Sequence, residues 1–316
     1  MVRTSRALAV VIVLASVAAS PVRAAQLSDP EAIIVKELVV TARATGPAWW
    51  RVSKGDSVVW VLGVLPGLPK GAKWDARVLN QHLAEAHQVI FPAISTAGLF
   101  DIPAMLGLRA KMKSRTPLED QLPPDLRARF AAAVQVLNQK PSRYDRWNGA
   151  FAGLTMVGDF NRQVGLDYVA LMPSIVRAAR AHGLKPKVAA IYKGIGFLKA
   201  GANELNEAIE QECLSEALDE IEGGTERQRL AAEGWARGDV KLALTGSTGF
   251  NHCLNLLPAV AQVARRSMGD EAAAIGAALQ QPGASVAVLP LRQLLAEDGV
   301  IEQLKAKGYA VRTPDQ

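Results

Sequence analysis

The sequence predicts an α/β fold: small sheet elements from both ends of the chain pack with helices around a helical middle segment. Three observations carry this. Two apolar runs, residues 49–52 and 58–62, flank Lys54-Gly55-Asp56-Ser57, which is a hairpin signal. From about residue 105 to 240, apolar residues recur with helical period. Past residue 280 the strand-like runs return.

The elements follow in order. After the hairpin comes a loop with Pro66, Gly67, Pro69 and Gly71. Asp75 can cap a helix running to about His87, with Val78, Leu79 and Leu83 on its buried side. Val89-Ile90-Phe91 reads as a short buried strand. Thr116-Pro117-Leu118-Glu119 combines a capping box with proline at the first helical position. Leu126, Phe130, Ala133, Val134 and Leu137 keep helical period. So do Tyr168, Met172, Ile175, Val176 and Ala179, ended by His182-Gly183. Residues 187–191 read as a strand. Leu205, Ile209, Cys213, Ala217 and Ile221 make an apolar seam spaced every four residues. Thr225-Glu226-Arg227-Gln228 opens a helix toward Trp235, broken by Gly238-Asp239. Helices are expected over 254–266 and 270–279, a turn at Gln281-Pro282-Gly283 and a strand over 285–289. A helix over 300–307, capped by Gly308, and a strand over 309–312 complete the chain. Sheet elements at both ends imply a single domain over 47–316 with a helical insert at about 105–240. There is no internal repeat.

The chain has 316 residues, 49% hydrophobic and 21% charged. Such hydrophobic content excludes a mostly disordered chain. No apolar run reaches the ~20 residues needed to span a bilayer, so no transmembrane segment is expected after cleavage. Residues 1–24 have the pattern of a signal peptide: basic MVRTSR, apolar ALAVVIVLASVAA, then Val22-Arg23-Ala24 before the cut. The alternative is an uncleaved anchor. Removal of Arg3, Arg6 and Arg23 lowers the formal charge from +6 to about half, an ordinary balance that does not favour a nucleic-acid partner. The mature protein is expected to be periplasmic or secreted, opening with an arm over residues 25–46, within which residues 33–42 are strand-like.

Export bears on the cysteines. Two are too few for a disulfide-rich scaffold or a four-cysteine zinc site. In an oxidising compartment Cys213 and Cys253 are natural partners. The alternatives are two separately buried thiols, which act as small apolar residues, or a catalytic cysteine. Neither cysteine has the surroundings of a known nucleophile.

Several phrases, in order, resemble the TraB/GumN family, which is related to the Tiki metalloproteases. Pro47-Ala48-Trp49-Trp50-Arg51-Val52 and then Val58-Val59-Trp60-Val61-Leu62-Gly63 look like the family's opening hairpin and Gly-x-x-His motif. Leu83-Ala84-Glu85-Ala86 leading into Val89-Ile90-Phe91 looks like the helix and strand that deliver its first glutamate. Residues 294–300, with Leu304, Gly308 and Tyr309, look like its closing stretch, and Trp235, Gly238 and Asp239 fit a further phrase. The match covers roughly 47–312.

The resemblance implies two histidines and a glutamate as the ligand or catalytic set of metal-dependent members. Here Gly63 is followed at the histidine position by Pro66, and the glutamate position falls on Pro92. The second histidine position falls on Gln293, or on Arg292 with a one-residue shift, and a second glutamate position falls near Ile191 or Tyr192. Proline offers a metal no side-chain lone pair, and divalent metals take carboxylate, imidazole or thiolate ligands. No catalytic residue, metal or cofactor is therefore assigned. The other histidine candidates, His82, His87, His182 and His252, form no metal spacing with a carboxylate. His82 and His87 lie about 140° apart on a helix. There is no Gly-x-Ser-x-Gly elbow or P-loop, and Gly194-Ile195-Gly196 lacks the rest of a dinucleotide fingerprint. Trp49, Trp50 and Trp60 read as packing residues or as a surface for stacking a sugar or peptide.

These readings point to an exported, non-catalytic, TraB/GumN-like cell-envelope protein that binds a protein or carbohydrate partner. The rival is a peptidase-like metal-dependent hydrolase with relocated ligands. Residues 34–42 also resemble the TonB box of outer-membrane receptors, an extended segment that adds a strand to a sheet edge. An ordinary edge strand paired within this chain is the alternative.

Overall fold

The computed structural model describes residues 29–42, 45–167, 171–248 and 250–315. The expected signal peptide, the first residues of the arm and Tyr168 lie outside the described residues. The strands in chain order are β1 (Trp49–Lys54), β2 (Ser57–Val64), β3 (Leu68–Pro69), β4 (Ala86–Phe91) and β5 (Ile94–Thr96). They continue with β6 (Leu166–Asp167), β7 (Pro186–Val188), β8 (Ile191–Lys193), β9 (Gly283–Pro290) and β10 (Ala310–Arg312). Six form one mixed sheet in the order β10-β1-β2-β9-β4-β7, while β3 pairs with β6 and β5 with β8.

The α/β prediction holds. β1 and β2 form the expected antiparallel hairpin, with Arg51 opposite Trp60 and Lys54 opposite Ser57. Gly55 takes φ +55° in its turn, a conformation open to glycine. β2, β9, β4 and β7 run parallel to one another. The two central strands, β2 and β9, are apolar over most of their length, and Val61, Leu62 and residues 286–289 are fully buried, as expected of parallel strands inside a sheet.

A second core lies in the helical middle, where Leu126, Phe130 and Tyr144 meet Met156, Leu214 and Leu218. The long helix Glu207–Ala236 joins the two cores. Leu214 and Leu218 sit in the helical core, whereas Ala232 and Trp235 sit against the sheet. It is broken at Gly224, whose φ of +66° is non-helical, at the point where the Thr225 signal opens a new helix. Tyr144 donates to the buried Asp159, which also pairs with Arg143 and Arg162.

Several elements differ from the sequence reading. Helices 254–266 and 270–279 are one helix, Pro258–Ala278, preceded by the short helix Asn251–Asn255. Burial of Met268, Glu271 and Ala272 outweighs the helix-breaking tendency of Gly269 and Asp270. The strand over 187–191 is two strands, β7 and β8, in different sheets. The helix begun near Asp75 spans Arg77–Glu85, and His87 already belongs to β4. Thr116 caps nothing; Pro117 occupies the N-cap of Leu118–Gln121.

The strand-like reading of residues 33–42 is also corrected. Ile34 bridges Ala296 and Thr41 bridges Asp239, but a 3-10 turn over Lys36–Leu38 separates the two bridges. Leu38 is fully buried in the sheet core. The turn leaves Leu38 in the sheet core between the two bridges.

Candidate functional site

The parallel strands of the sheet end side by side, at Val64, Phe91, Val188 and Pro290. In open α/β sheets the crevice beyond these carboxyl ends is the usual ligand site. Pro66 follows β2, Pro92 follows β4, and Arg292 and Gln293 follow β9. All four line one cleft of about 200 Å³. Pro66, Pro92 and the alternative pair Arg292 and Gln293 are thus brought together, although they are far apart in sequence, whereas the second glutamate position at Ile191 or Tyr192 does not line this cleft. Gly63 is not on the cleft wall. Its carbonyl accepts from Trp235 Nε1 at 2.7 Å, and a Cβ there would lie 2.5 Å from Leu291 Cδ1, so it serves close packing behind the site. Ile191 and Tyr192 lie on β8, and the Tyr192 hydroxyl donates to Asp270 at 2.6 Å.

The fourth wall comes from the arm. Glu31 is 4% exposed and accepts from Gln293 Nε2 at 3.0 Å. It lines both this cleft and an adjoining one of about 240 Å³, so the Glu31–Gln293 pair stands where the two meet. Burial raises the Glu31 carboxyl above its ordinary range, the Gln293 bond opposes this, and Asp29 adds to the rise. Arg292 donates to the Leu244 carbonyl at 2.6 Å. Burial pulls its guanidinium below its usual value, against the charges of Glu31, Asp29 and Glu216.

Asp29 anchors the arm. It accepts from Asn255 Nδ2 at 2.8 Å and bonds His252 Nδ1 at 2.9 Å. His252 therefore has a carboxylate partner that local spacing does not reveal, because the arm supplies it from more than two hundred residues away. Burial would lower the His252 pKa, but the Asp29 bond and the charges of Glu216 and Glu212 leave it raised. Further along, Ala42 N donates to Gly238 O, and Val240 N donates to Val40 O. The Trp235, Gly238 and Asp239 phrase thus ties the arm and the hairpin to the domain.

A second carboxylate was missed. Glu271 is fully buried and accepts from Ala93 N at 3.1 Å, one residue beyond Pro92, and from Ser267 Oγ at 3.2 Å. Its Oε2 is buried with no hydrogen-bond partner. Burial pushes its pKa up to about 7. The signal was present in the sequence: Met268, Glu271, Ala272 and Ile275 sit at helical spacing, so an acid lies inside an apolar stripe. Glu31 left no such mark, since it precedes the apolar part of the arm.

Among the described residues, no group of three or more His, Cys, Asp or Glu side chains could hold a metal ion. The remaining histidines are in structural settings. His82 stacks on Trp60 at 4.2 Å and meets Trp49 edge-on at 4.8 Å. His87 contacts Ser285 Oγ, and His182 contacts Asn80. Trp50 is fully buried. Cys213 and Cys253 are joined in a disulfide with Cα atoms 4.7 Å apart.

The architecture is an α/β domain with a mixed sheet and a cleft at the carboxyl ends of its parallel strands. The TraB/PrgY/gumN family model matches residues 48–313, and the chain belongs to that family. No curated protein and no solved structure matches the chain. No helix among the described residues is long and apolar enough to cross a membrane.

Proposed function

We propose that this chain is an exported, non-catalytic TraB/PrgY/gumN protein of the cell envelope that binds a protein or carbohydrate partner at the carboxyl-edge cleft. One observation carries the reading. Three of the positions expected to hold the ligand set converge on the cleft as Pro66, Pro92 and either Gln293 or Arg292, and Glu31 of the arm lines the same cleft, bonded to Gln293. Two prolines, an amide and a guanidinium are poor metal ligands. The same wall can recognise polar groups through Arg292, Gln293 and the loop at Ser247 and Thr248. The Cys213–Cys253 bridge supports export, because such bonds persist in oxidising compartments.

Strand addition by residues 34–42 to a TonB-type sheet would require release of buried Leu38 and of the bridges at Ile34 and Thr41. The cleft is for that reason put forward as the partner site ahead of the arm.

Metal analysis of protein purified without chelator, with a peptidase screen and zinc-dependent melting, tests the reading. Specific binding to the native state must stabilise it, by about 2.7 kcal/mol at a hundredfold excess over Kd. No saturable zinc-dependent rise in Tm is expected. Stoichiometric metal together with metal-dependent turnover would establish the rival hydrolase. Glu271 is the observation that favours that rival, since it brings a carboxyl with a pKa near neutrality to the residue after Pro92.

A further inference from the structure

Helix Ile102–Lys111 contains no buried residue, although its sequence is mostly apolar. Leu106 is 63% exposed, and Phe100, just before the helix, is fully exposed. Beneath the helix lies an apolar chamber of about 540 Å³, within the roughly 300–1,000 Å³ typical of small-molecule sites. Met105, Leu154, Leu198, Phe250 and Leu257 line it, and its wall includes the disulfide residue Cys253. It shares no lining residue with the cleft of Pro66, Pro92, Arg292 and Gln293.

A groove of about 1200 Å³ adjoins the chamber through the shared residues Leu106, Arg109 and Phe151. Arg109, Lys113, Lys140, Arg143 and Arg146 line this groove, and no carboxylate does. Of the five, Arg143 is tied to Asp159. Arg109 lies with its guanidinium carbon 5.3 Å from the Trp147 ring centroid and lines both cavities. An apolar chamber that opens onto unneutralised positive charge is complementary to one kind of molecule.

We propose that these joined cavities bind an anionic amphiphile with a single long hydrocarbon chain. The chain occupies the chamber, and the acid group lies against Arg109, Lys113 and Arg146. The hydrocarbon supplies affinity through burial, and the cations supply selectivity for the acid. This site is separate from the proposed partner cleft, so either assignment can fail without the other.

Calorimetric titration of the delipidated full chain with tetradecanoate, below its aggregation concentration, tests the proposal. One saturable site per chain is expected. Each pair of methylenes removed should weaken binding about tenfold. Leu154→Glu should abolish binding; Leu154 is 44% exposed, so the change is compatible with folding. Leu198→Glu on another wall should do the same, with unchanged melting curves as the folding control. Lys113→Glu with Arg146→Glu should weaken tetradecanoate at least tenfold and remove the preference for it over tetradecylamine. The proposal is overturned by absent or unsaturable binding, by equal wild-type affinity for the acid and the amine, or by full binding in folded Leu154→Glu and Leu198→Glu. Retention on phosphatidylglycerol vesicles without binding of monomeric tetradecanoate would also overturn it and would assign the surface to membranes.

Discussion

Gln293 Nε2 donates to Glu31 Oε1 at 3.0 Å, joining the short helix that follows the last parallel strand to an arm that precedes the first. Gln293 is one of the two residues, with Arg292, at which the family resemblance expects a histidine, and the group it holds is part of its own chain. Glu31→Ala should therefore cost about 1 kcal/mol, since it leaves the half-buried Gln293 amide without its acceptor. Urea unfolding would measure this. Unchanged stability together with unchanged protease sensitivity of the arm would show that Glu31 does not fasten it.

Glu271 predicts a pH dependence. Its pKa rises from 4.5 unfolded to about 7 folded, so the folded state favours the protonated form. Its contribution to stability is whole below about pH 4.5 and is lost as pH rises through about 7, up to roughly 3 kcal/mol. Glu271→Gln keeps an acceptor for Ala93 and never ionises. The variant should match the wild type near pH 4.5 and exceed it near pH 8, as read from paired melting curves. Parallel curves across that range would refute the shift.

His82 carries the opposite sign. Burial between Trp60 and Trp49 lowers its pKa from 6.5 to about 4. The stability tied to its neutral form is present above about pH 6.5 and is lost as pH falls through about 4. Its ring is partly exposed, so solvent screening limits the effect to about 1–2 kcal/mol. His82→Phe preserves the stacking and should flatten the acid limb of the stability profile. A profile with the same slope as wild type would exclude His82 as its source.

The disulfide makes a thermodynamic prediction. The bridge closes a loop of 40 residues between the long helix and the segment after Phe250. By the chain-entropy account, its loss should cost roughly 4 kcal/mol. Denatured, unreduced protein should yield close to no titratable thiol, and Cys213→Ser with Cys253→Ser should melt well below wild type. Two free thiols per chain from an oxidising compartment would contradict the bridge.

Much of the fold is legible because it is local. Helical period marks Pro124–Val136, and the Lys54-Gly55-Asp56-Ser57 turn marks the hairpin, from neighbours within a few residues. The misplacements share a cause. Gly269 and Asp270 look like a break, but Met268 and Ala272 are buried against the sheet core, and that burial carries the helix through. Residues 33–42 look like a strand, but a 3-10 turn over Lys36–Leu38, with Leu38 in the sheet core, interrupts them.

The sequence by itself determined the hairpin, most of the helices to within their ends, and the cysteines as candidate partners, and the family resemblance put Pro66, Pro92 and Arg292 or Gln293 at the expected ligand positions. Only the tertiary structure decided what stands beside those positions. Glu31 reaches Gln293 across 262 residues, Glu271 reaches Ala93 across 178, and Asp29 reaches His252 across 223. Local spacing cannot encode such pairs, because they form only when the parallel strands align and bring distant loops to one edge. Their titration is then shaped by that edge: desolvation raises both glutamates, and the Asp29 bond helps raise the His252 pKa against its own desolvation.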